Sequence, residues 1–590
     1  VSTGAAAPAG RAARVLLGLA AVAVAFAAAD TYVVVMALPD MMTAGGLGLD
    51  ELQRAAPIVS GFLLGYVAVL PLVGRIADLR GRRPVLVGSL VLFAVGSVVT
   101  AAADGLVPMV AGRFLQGVGG GGLVPATLAL VADLWPPRRR GVPLGIVGAV
   151  QELGSVLGPL YGAAVLAFAD WRAIFWLNCA AGLALAGAIA ATGRTRGARA
   201  DLPRPPSPGL PDIAGAALAV LAVASLAVTL ARPAPLRDDV ELGRLFLPVV
   251  GEVYATSPAA LLTYALVAAF VVRELTAPRP LVALRTWPTT SRTVDLGGAL
   301  LLGAALGCVI VTFASADPET SVVSSAAPWL LGGAAVATAA FVWRQRSAAA
   351  PLVPRATFSA RPAWGALVVS LFIGAALIAA LVDVPFFARL TEHRGSQLGA
   401  ALVLVQFLVA LPIGAVLGGY ATRRVRPAWI AGAGMALACG CFVVMATWER
   451  DALAHPTSSV ALALAGLGFG LAVAPVNAAL LDATSDAAHG IASALLVVAR
   501  MVGMLVGISV LTSWGLRAYY GAVGRIPPLS ELCPGSATTC DAYNDAMIDA
   551  GIVQLSTVFT GAAVCAGIAA LASVLLLTPR PGATARASGD

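Results

Sequence analysis

Runs of about eighteen or more apolar residues recur along the whole chain, and each is long enough to span a bilayer as a helix. They fall at about 14–39, 57–76, 83–103, 106–134, 141–168 and 172–193, then 210–232, 257–274, 294–316 and 326–344, then 362–389, 397–421, 427–447, 458–482, 488–518 and 551–578. The reading is an all-α polytopic membrane protein of sixteen helices, with fourteen as the alternative count, arranged as six, four and six. Composition agrees: of 590 residues 59% are hydrophobic and 12% charged, against roughly 25% charged in a soluble domain. No large soluble domain fits. The first run starts near Val15 and is long enough to be a spanning helix itself, rather than a typical cleavable signal.

Arginine placement tests the count. The chain has no lysine, so its formal charge of +8 is carried by arginine. Clusters stand at Arg80, Arg82 and Arg83, at Arg138, Arg139 and Arg140, at Arg194, Arg196 and Arg199, at Arg279, Arg285 and Arg292, at Arg344 and Arg346, and at Arg423, Arg424 and Arg426. Every cluster lies in an even-to-odd connection, while the odd-to-even connections are short, acidic or mixed. The positive-inside rule then predicts a multi-pass inner (plasma) membrane protein with both termini cytoplasmic. Basic excess of this kind marks cytoplasmic loops rather than nucleic-acid binding. The expected division is a bundle over 1–193, a cytoplasmic linker at 194–209, central helices over 210–361, a second bundle over 362–578 with an external loop at 519–550, and a tail at 579–590.

The central helices read as a duplicated hairpin. PDIAGAALAVLAVASLAVTLA at 211–231 is similar to VDLGGALLLGAALGCVIVTFA at 294–314, and FVVRELTAPRPLV at 270–282 to FVWRQRSAAAPLV at 341–353. Five of the seven cysteines fall in apolar runs, where Cys acts as a small hydrophobe. Cys533 and Cys540 flank a polar PGSATT loop expected outside the cytoplasm, and are the disulfide candidates.

Four motifs narrow the class. GRIADLRGRRP at 74–84 places Gly74, Asp78, Gly81, Arg82 and Arg83 at a turn between the second and third helices. RFLQGVGGG at 113–121 carries Arg113, Gln116 and Gly117 on the fourth. VGAVQELGSVLGPLYG on the fifth carries Gly154, Gly158, Pro159 and Gly162, a string that permits close packing and a local bend. DTYVVVMALPD at 30–40 lies on the first. Together these resemble the major facilitator superfamily, in its drug:proton antiporter branch with extra central helices. The resemblance implies two six-helix bundles around a midplane site that alternates in access.

ADLWPPRRRG, DWRAIFWLN, LVDVPFF, LPIGAVLGG and HGIASALLVVARMVGMLVG are similar to one subfamily, the mycobacterial triacylglyceride exporters first described as multidrug efflux pumps. That resemblance implies a lipid or lipophilic substrate, a proton gradient as energy source with no cofactor, and a periplasmic lipid-binding lipoprotein as partner. Two departures stand out: four central helices instead of two, and a short connection, TWERDALAHPTS, where the subfamily carries a longer external insertion. The 519–550 loop is the substitute surface for such a partner. The chain is read as a monomer.

Charges at bilayer depth are costly, by about 2.5–3.5 kcal/mol on insertion scales. Glu152 lies roughly 16 Å into its helix, near the middle of the hydrocarbon. Asp30 lies about as deep, and Arg500 is central to its own helix. Asp383 is a secondary candidate nearer an external end. Arg500 is expected to pair with Asp30 or Glu152, either as a permanent lock or as a switchable set in which burial raises a carboxylate pKa and a nearby arginine lowers it. Asp78 and Arg82 read as a cytoplasmic gate. Arg113 is expected in the cytoplasmic half of its bundle, and His489 on the surface at a helix start.

No phosphate-binding loop, catalytic triad or zinc-ligand spacing appears, so the reading is a transporter, not an enzyme. Its substrate stays open between a long-chain lipid, triacylglyceride by resemblance, and a lipophilic cation expelled by a proton-coupled multidrug antiporter. A non-transporting scaffold or sensor is the third reading.

Overall fold

The computed structural model describes residues 11–46, 52–136, 139–192, 212–239, 241–249, 256–278, 280–281, 284–286, 294–314, 324–354, 356–392, 397–528, 531, 533 and 540–578. The expected 194–209 linker and 579–590 tail lie outside them. Hydrocarbon offers the backbone no hydrogen-bond partner, so apolar runs of this length close their bonds within helices. No strand occurs among the described residues.

Among the described residues, sixteen long helices follow the six, four, six order. The first bundle is α1 (Arg11–Ala44), α2 (Leu52–Arg80), α3 (Arg82–Ala101), α4 (Leu106–Leu134, with a turn at Gly122), α5 (Gly141–Leu166) and α6 (Trp171–Ala191). The central set is α7 (Ile213–Ala231), α8 (Pro258–Thr276), α9 (Leu296–Ala314) and α10 (Ala327–Ser347). The second bundle is α11 (Arg361–Leu390), α12 (Gln397–Ala421), α13 (Pro427–Met445), α14 (Pro456–Asp482), α15 (His489–Val523) and α16 (Asp541–Leu576). Fourteen are long and apolar enough to cross a membrane. The other two, α5 and α10, have 26 and 21 residues and complete the order. Arg344, Gln345 and Arg346 in the last turn of α10 lower its apolar content.

Each bundle packs around its own apolar core. In the first, α1 lies on α5, α2 and α3 on α4, and α3 on α6; in the second, α14 lies on α12 and α13, and α11 on α15 and α16. Two seams join them, α5 against α12 and α2 against α15. The core of the first bundle runs across these seams, since Ala474, Leu481, Ala494 and Val497 are buried in the same cluster as Leu70, Leu144 and Val147.

The central helices form two hairpins, α7 with α8 and α9 with α10. Each is clasped at the same point of the repeat. Asp212 accepts from Arg273 Nε and Nη2, both at 2.9 Å, and Asp295 accepts from Arg344 Nε at 2.5 Å. The hairpins seat differently. α7 touches α3, and Arg232 beside it reaches Asp104 at 2.6 Å. α9 lies across both α2 and α15.

One boundary differs from the sequence reading. The last two helices run into the expected 519–550 loop, leaving 524–540 between them. Polar residues at the start of α16 hid this extension. Asp541 suits a helix N-terminus, and Asp545 and Asp549 both bind Arg450 from the short 446–455 connection, at 3.1 and 2.6 Å. Those two carboxylates, Asp549 foremost, hold the Arg450 pKa above its ordinary value.

Candidate functional site: a buried ion pair and an interbundle clasp

Two buried charges of the first bundle meet each other. Asp30, on α1, and Arg113, on α4, are both fully buried, with Arg113 Nη1 2.7 Å from Asp30 Oδ2. Asn178 of α6 donates to the other carboxylate oxygen, Oδ1, at 2.5 Å. Gln116 Oε1 accepts from Arg113 Nη1 at 3.0 Å, and its amide nitrogen donates to Ser97 Oγ at 2.8 Å. The Phe62 ring centroid lies 4.5 Å from the Arg113 guanidinium carbon, a cation–π contact. Arg113 Nε also reaches the Ile58 carbonyl at 3.4 Å. One carboxylate is thus held by donors from two further helices.

This corrects two expectations. Asp30 pairs with Arg113, not with Arg500. Arg113 lies in the half of its bundle away from the arginine clusters, because α4 enters at Leu106, only seven residues earlier, from the opposite side. Asp30 reaches the same level by being well along α1 from the arginine-rich face. The α5 glycines of that string lie beside it: a Cβ on Gly154 would meet the Ala25 carbonyl at 2.1 Å, and one on Gly158 the Ala29 carbonyl at 2.4 Å. They let α5 lie on the turn of α1 that leads into Asp30. Gly162 is buried on the same helix. The side chains of Glu152 and Pro159 lie outside the described residues.

Arg500 is buried on α15, with its carbonyl packed where a Cβ on Gly374 of α11 would sit, at 2.1 Å. Asp383 is buried on α11. Neither is brought to Asp30. Cys533 and Cys540 form a disulfide, with Cα atoms 5.8 Å apart, just before α16.

A second cluster joins the bundles at the arginine-rich face. Asp78 Oδ1 accepts from Gly490 N at 2.8 Å and Oδ2 from Ile491 N at 3.2 Å, so a carboxylate of the first bundle caps the N-terminus of α15 in the second. Arg82 holds that carboxylate from the other side at 2.5 Å and reaches Asp133 at 3.2 Å. The backbones touch here: a Cβ on Gly490 would meet the Gly74 carbonyl at 2.3 Å. Gly81 turns the chain between α2 and α3 with φ 94°, a conformation that favours glycine. Arg83 binds the Ile189 carbonyl at 3.0 Å and also the Ala190 carbonyl, closing the last turn of α6. On the other seam, a Cβ on Gly141 would meet the Gly419 carbonyl at 2.3 Å. Both seams are therefore closed at this face.

A family model described as the Major Facilitator Superfamily matches residues 20–508. The chain belongs to that superfamily. This superfamily transporter is similar to a triacylglyceride transporter of Mycolicibacterium hassiacum, 34% identical over 570 residues that cover 94% of this chain and 89% of the relative. One from Mycobacteroides abscessus is 35% identical over 516 residues, covering 86% and 83%. One from Mycobacterium tuberculosis is 34% identical over 553 residues, covering 90% and 89%.

Within this major facilitator fold the sequence reading missed three partners. Asn178 sits in the DWRAIFWLN string, but nothing local marks it as a ligand of Asp30, 148 positions away. Asp133 and the Gly490 backbone were likewise unmarked. His489 was read as a surface residue; it is 1% exposed, and its Nε2 donates to the Leu481 carbonyl at 3.0 Å.

Proposed function

We propose that the protein exports triacylglyceride or a related long-chain lipid from the inner membrane towards the periplasm, by alternating access driven by inward proton flow. The observation that carries the proton part is the enclosed Asp30–Arg113 pair, a carboxylate at bilayer depth held by three helices. Such a group persists in a membrane where it serves transport or proton traffic. The relatives named triacylglyceride transporters support the lipid part.

In this reading the arginine-rich face is cytoplasmic, and the Asp78–Gly490 clasp is the gate that closes it. Glu152 and Arg500 form a second, switchable lock, and Asp383 is a secondary proton site. The protein works as a monomer. It hands lipid to a periplasmic lipid-binding lipoprotein at the face formed by the 446–455 connection and the start of α16. A cationic-drug antiporter draws less support, because both oxygens of Asp30 are already taken by Arg113 and Asn178.

Transport in proteoliposomes under an imposed proton gradient tests this. Labelled triacylglyceride is compared with a cationic dye, in wild type, Asp30→Asn and Glu152→Gln. Lipid movement lost in both variants, with little dye movement, is the expected result. Dye movement alone would transfer the assignment to a multidrug antiporter. Undiminished lipid movement in both variants would remove proton coupling from these carboxylates.

A further inference from the structure

Asp30 is bound on each oxygen by a group that, as placed, can only donate. Arg113 holds Oδ2, and a guanidinium has no acceptor in any orientation. Asn178 presents its amide nitrogen to Oδ1. A proton added to either oxygen would therefore point at another donor. A buried hydroxyl left without an acceptor is costly, so the neutral carboxyl is unwelcome unless one partner changes.

Only one of the two can change in place. The side-chain amide of Asn carries a donor and an acceptor on the same carbon, and its terminal torsion is broad and roughly two-fold. Half a turn brings Oδ1 of Asn178 to where Nδ2 stood. The Asp30 hydroxyl then has an acceptor, and Arg113 keeps its bond to the unprotonated oxygen. Asn178 is 1% exposed, so no bulk water competes for either arrangement.

We propose that Asn178 is the positioning residue that lets Asp30 change protonation without leaving its pocket: amide nitrogen towards the charged carboxylate, amide oxygen towards the neutral carboxyl. This rests on the reading of Asp30 as a proton-coupling group and adds how the site tolerates both states. The proton taken up bonds to Oδ1 of Asp30, and the same proton leaves when the amide turns back. The charged and titratable groups that act with Asp30 are Arg113 on α4 and the Tyr161 hydroxyl on α5, which feels the Asp30 charge. Tyr161 donates to the Ile174 carbonyl at 3.3 Å, one turn before Asn178 on α6. From α2 the facing groups are the Ile58 carbonyl and the Phe62 ring, neither of which titrates.

The test compares proton-driven uptake of labelled triacylglyceride with gradient-free exchange, from about pH 5 to 8, in full-length protein. Asn178→Leu keeps the size and removes both donor and acceptor. The expected result is a fall of about tenfold or more in the ratio of driven transport to exchange, with a flattened pH profile. Asn178→Gln keeps the amide and should recover most of that ratio with a displaced profile. A merely structural role would lower both rates together and leave the profile in place.

Infrared difference spectra of the wild type, acid minus neutral, give a readout that needs no variant at Asn178. A side-chain amide carbonyl band should change with acidification, and Asp30→Asn should abolish that change. Two outcomes overturn the proposal alone: loss of driven transport in Asp30→Asn beside an unaltered profile in Asn178→Leu, or no amide band in the wild type. Full driven transport in Asp30→Asn would sink the underlying reading, and this inference with it.

Discussion

At the scale of single residues, the Asp30–Arg113 pair separates what a charge does for stability from what it does for transport. A buried pair with one partner removed leaves an uncompensated charge, at a cost of about 3–5 kcal/mol. Arg113→Met should therefore lower the thermal midpoint of the detergent-solubilised protein sharply. The double variant Asp30→Leu with Arg113→Met should recover most of that loss, because apolar replacements of both partners are often close to neutral. If the double variant melts as low as the single one, packing rather than charge governs the site. Arg450→Ala makes the contrast: its carboxylate partners are more than half exposed, so the loss should stay within about 1 kcal/mol. Sequence made Asp30, Glu152 and Arg500 legible as charges at bilayer depth, because such residues are rare there. It did not make the pairing legible. Which two depths coincide depends on where each helix enters the membrane, and Arg113, seven residues into α4 from the face opposite the arginine clusters, was set in the wrong half.

At the scale of elements, α15 and the central hairpins carry the consequences. Charge-assisted hydrogen bonds are worth about 1.5–3 kcal/mol, so Asp78→Asn should shift the closed arrangement by roughly tenfold or more. A cysteine at position 494, which packs near Gly74 when the seam is shut, should then react faster with a membrane-impermeant thiol reagent. Unchanged labelling would mean the clasp is not what holds the seam. The hairpin clasps give a pH signature. Hydrogen bonds from Arg273 hold the Asp212 pKa below the ordinary carboxylate value. A depressed carboxylate contributes stability above its unfolded pKa of about 3.9 and loses it as pH falls through the lower folded value. The difference in thermal midpoint between wild type and Asp212→Asn should therefore be present near neutral pH and fade as the pH falls below the unfolded carboxylate value of about 3.9. The duplication was legible because Asp212 and Asp295, and Arg273 and Arg344, recur in register. The start of α16 was not, because its polar first turns carry no membrane signal and are steadied by Arg450 from elsewhere in the chain.

At the scale of the whole molecule, the two hairpins should differ in what they are needed for. Deleting 211–293 removes helices that sit on α3 at the edge of one bundle. Deleting 294–354 removes α9, which lies across both bundles, and detaches the chain that leads into α11. With a flexible replacement linker, the first deletion should leave a monodisperse protein with driven lipid transport close to wild type, and the second should lose both. Equal loss in the two would show that the pair of hairpins works as one unit. The parity of the helix count was legible from the alternation of arginine clusters, since a single missed helix would have broken it, and the superfamily from its motifs. The different seating of two similar hairpins was not, because similar apolar sequences carry no address. α15 is a single continuous helix. Its first residues are gripped by Asp78, and ten residues on, about 15 Å along the same rod, stands Arg500. If Arg500 forms the proposed lock with Glu152, the two ends exchange free energy directly. Linkage then demands reciprocity: whatever factor protonation imposes on gate opening, opening must impose on proton affinity. A variant that loosens the gate, with no titratable group altered near the proton site, must then change the affinity with which the transporter holds its proton.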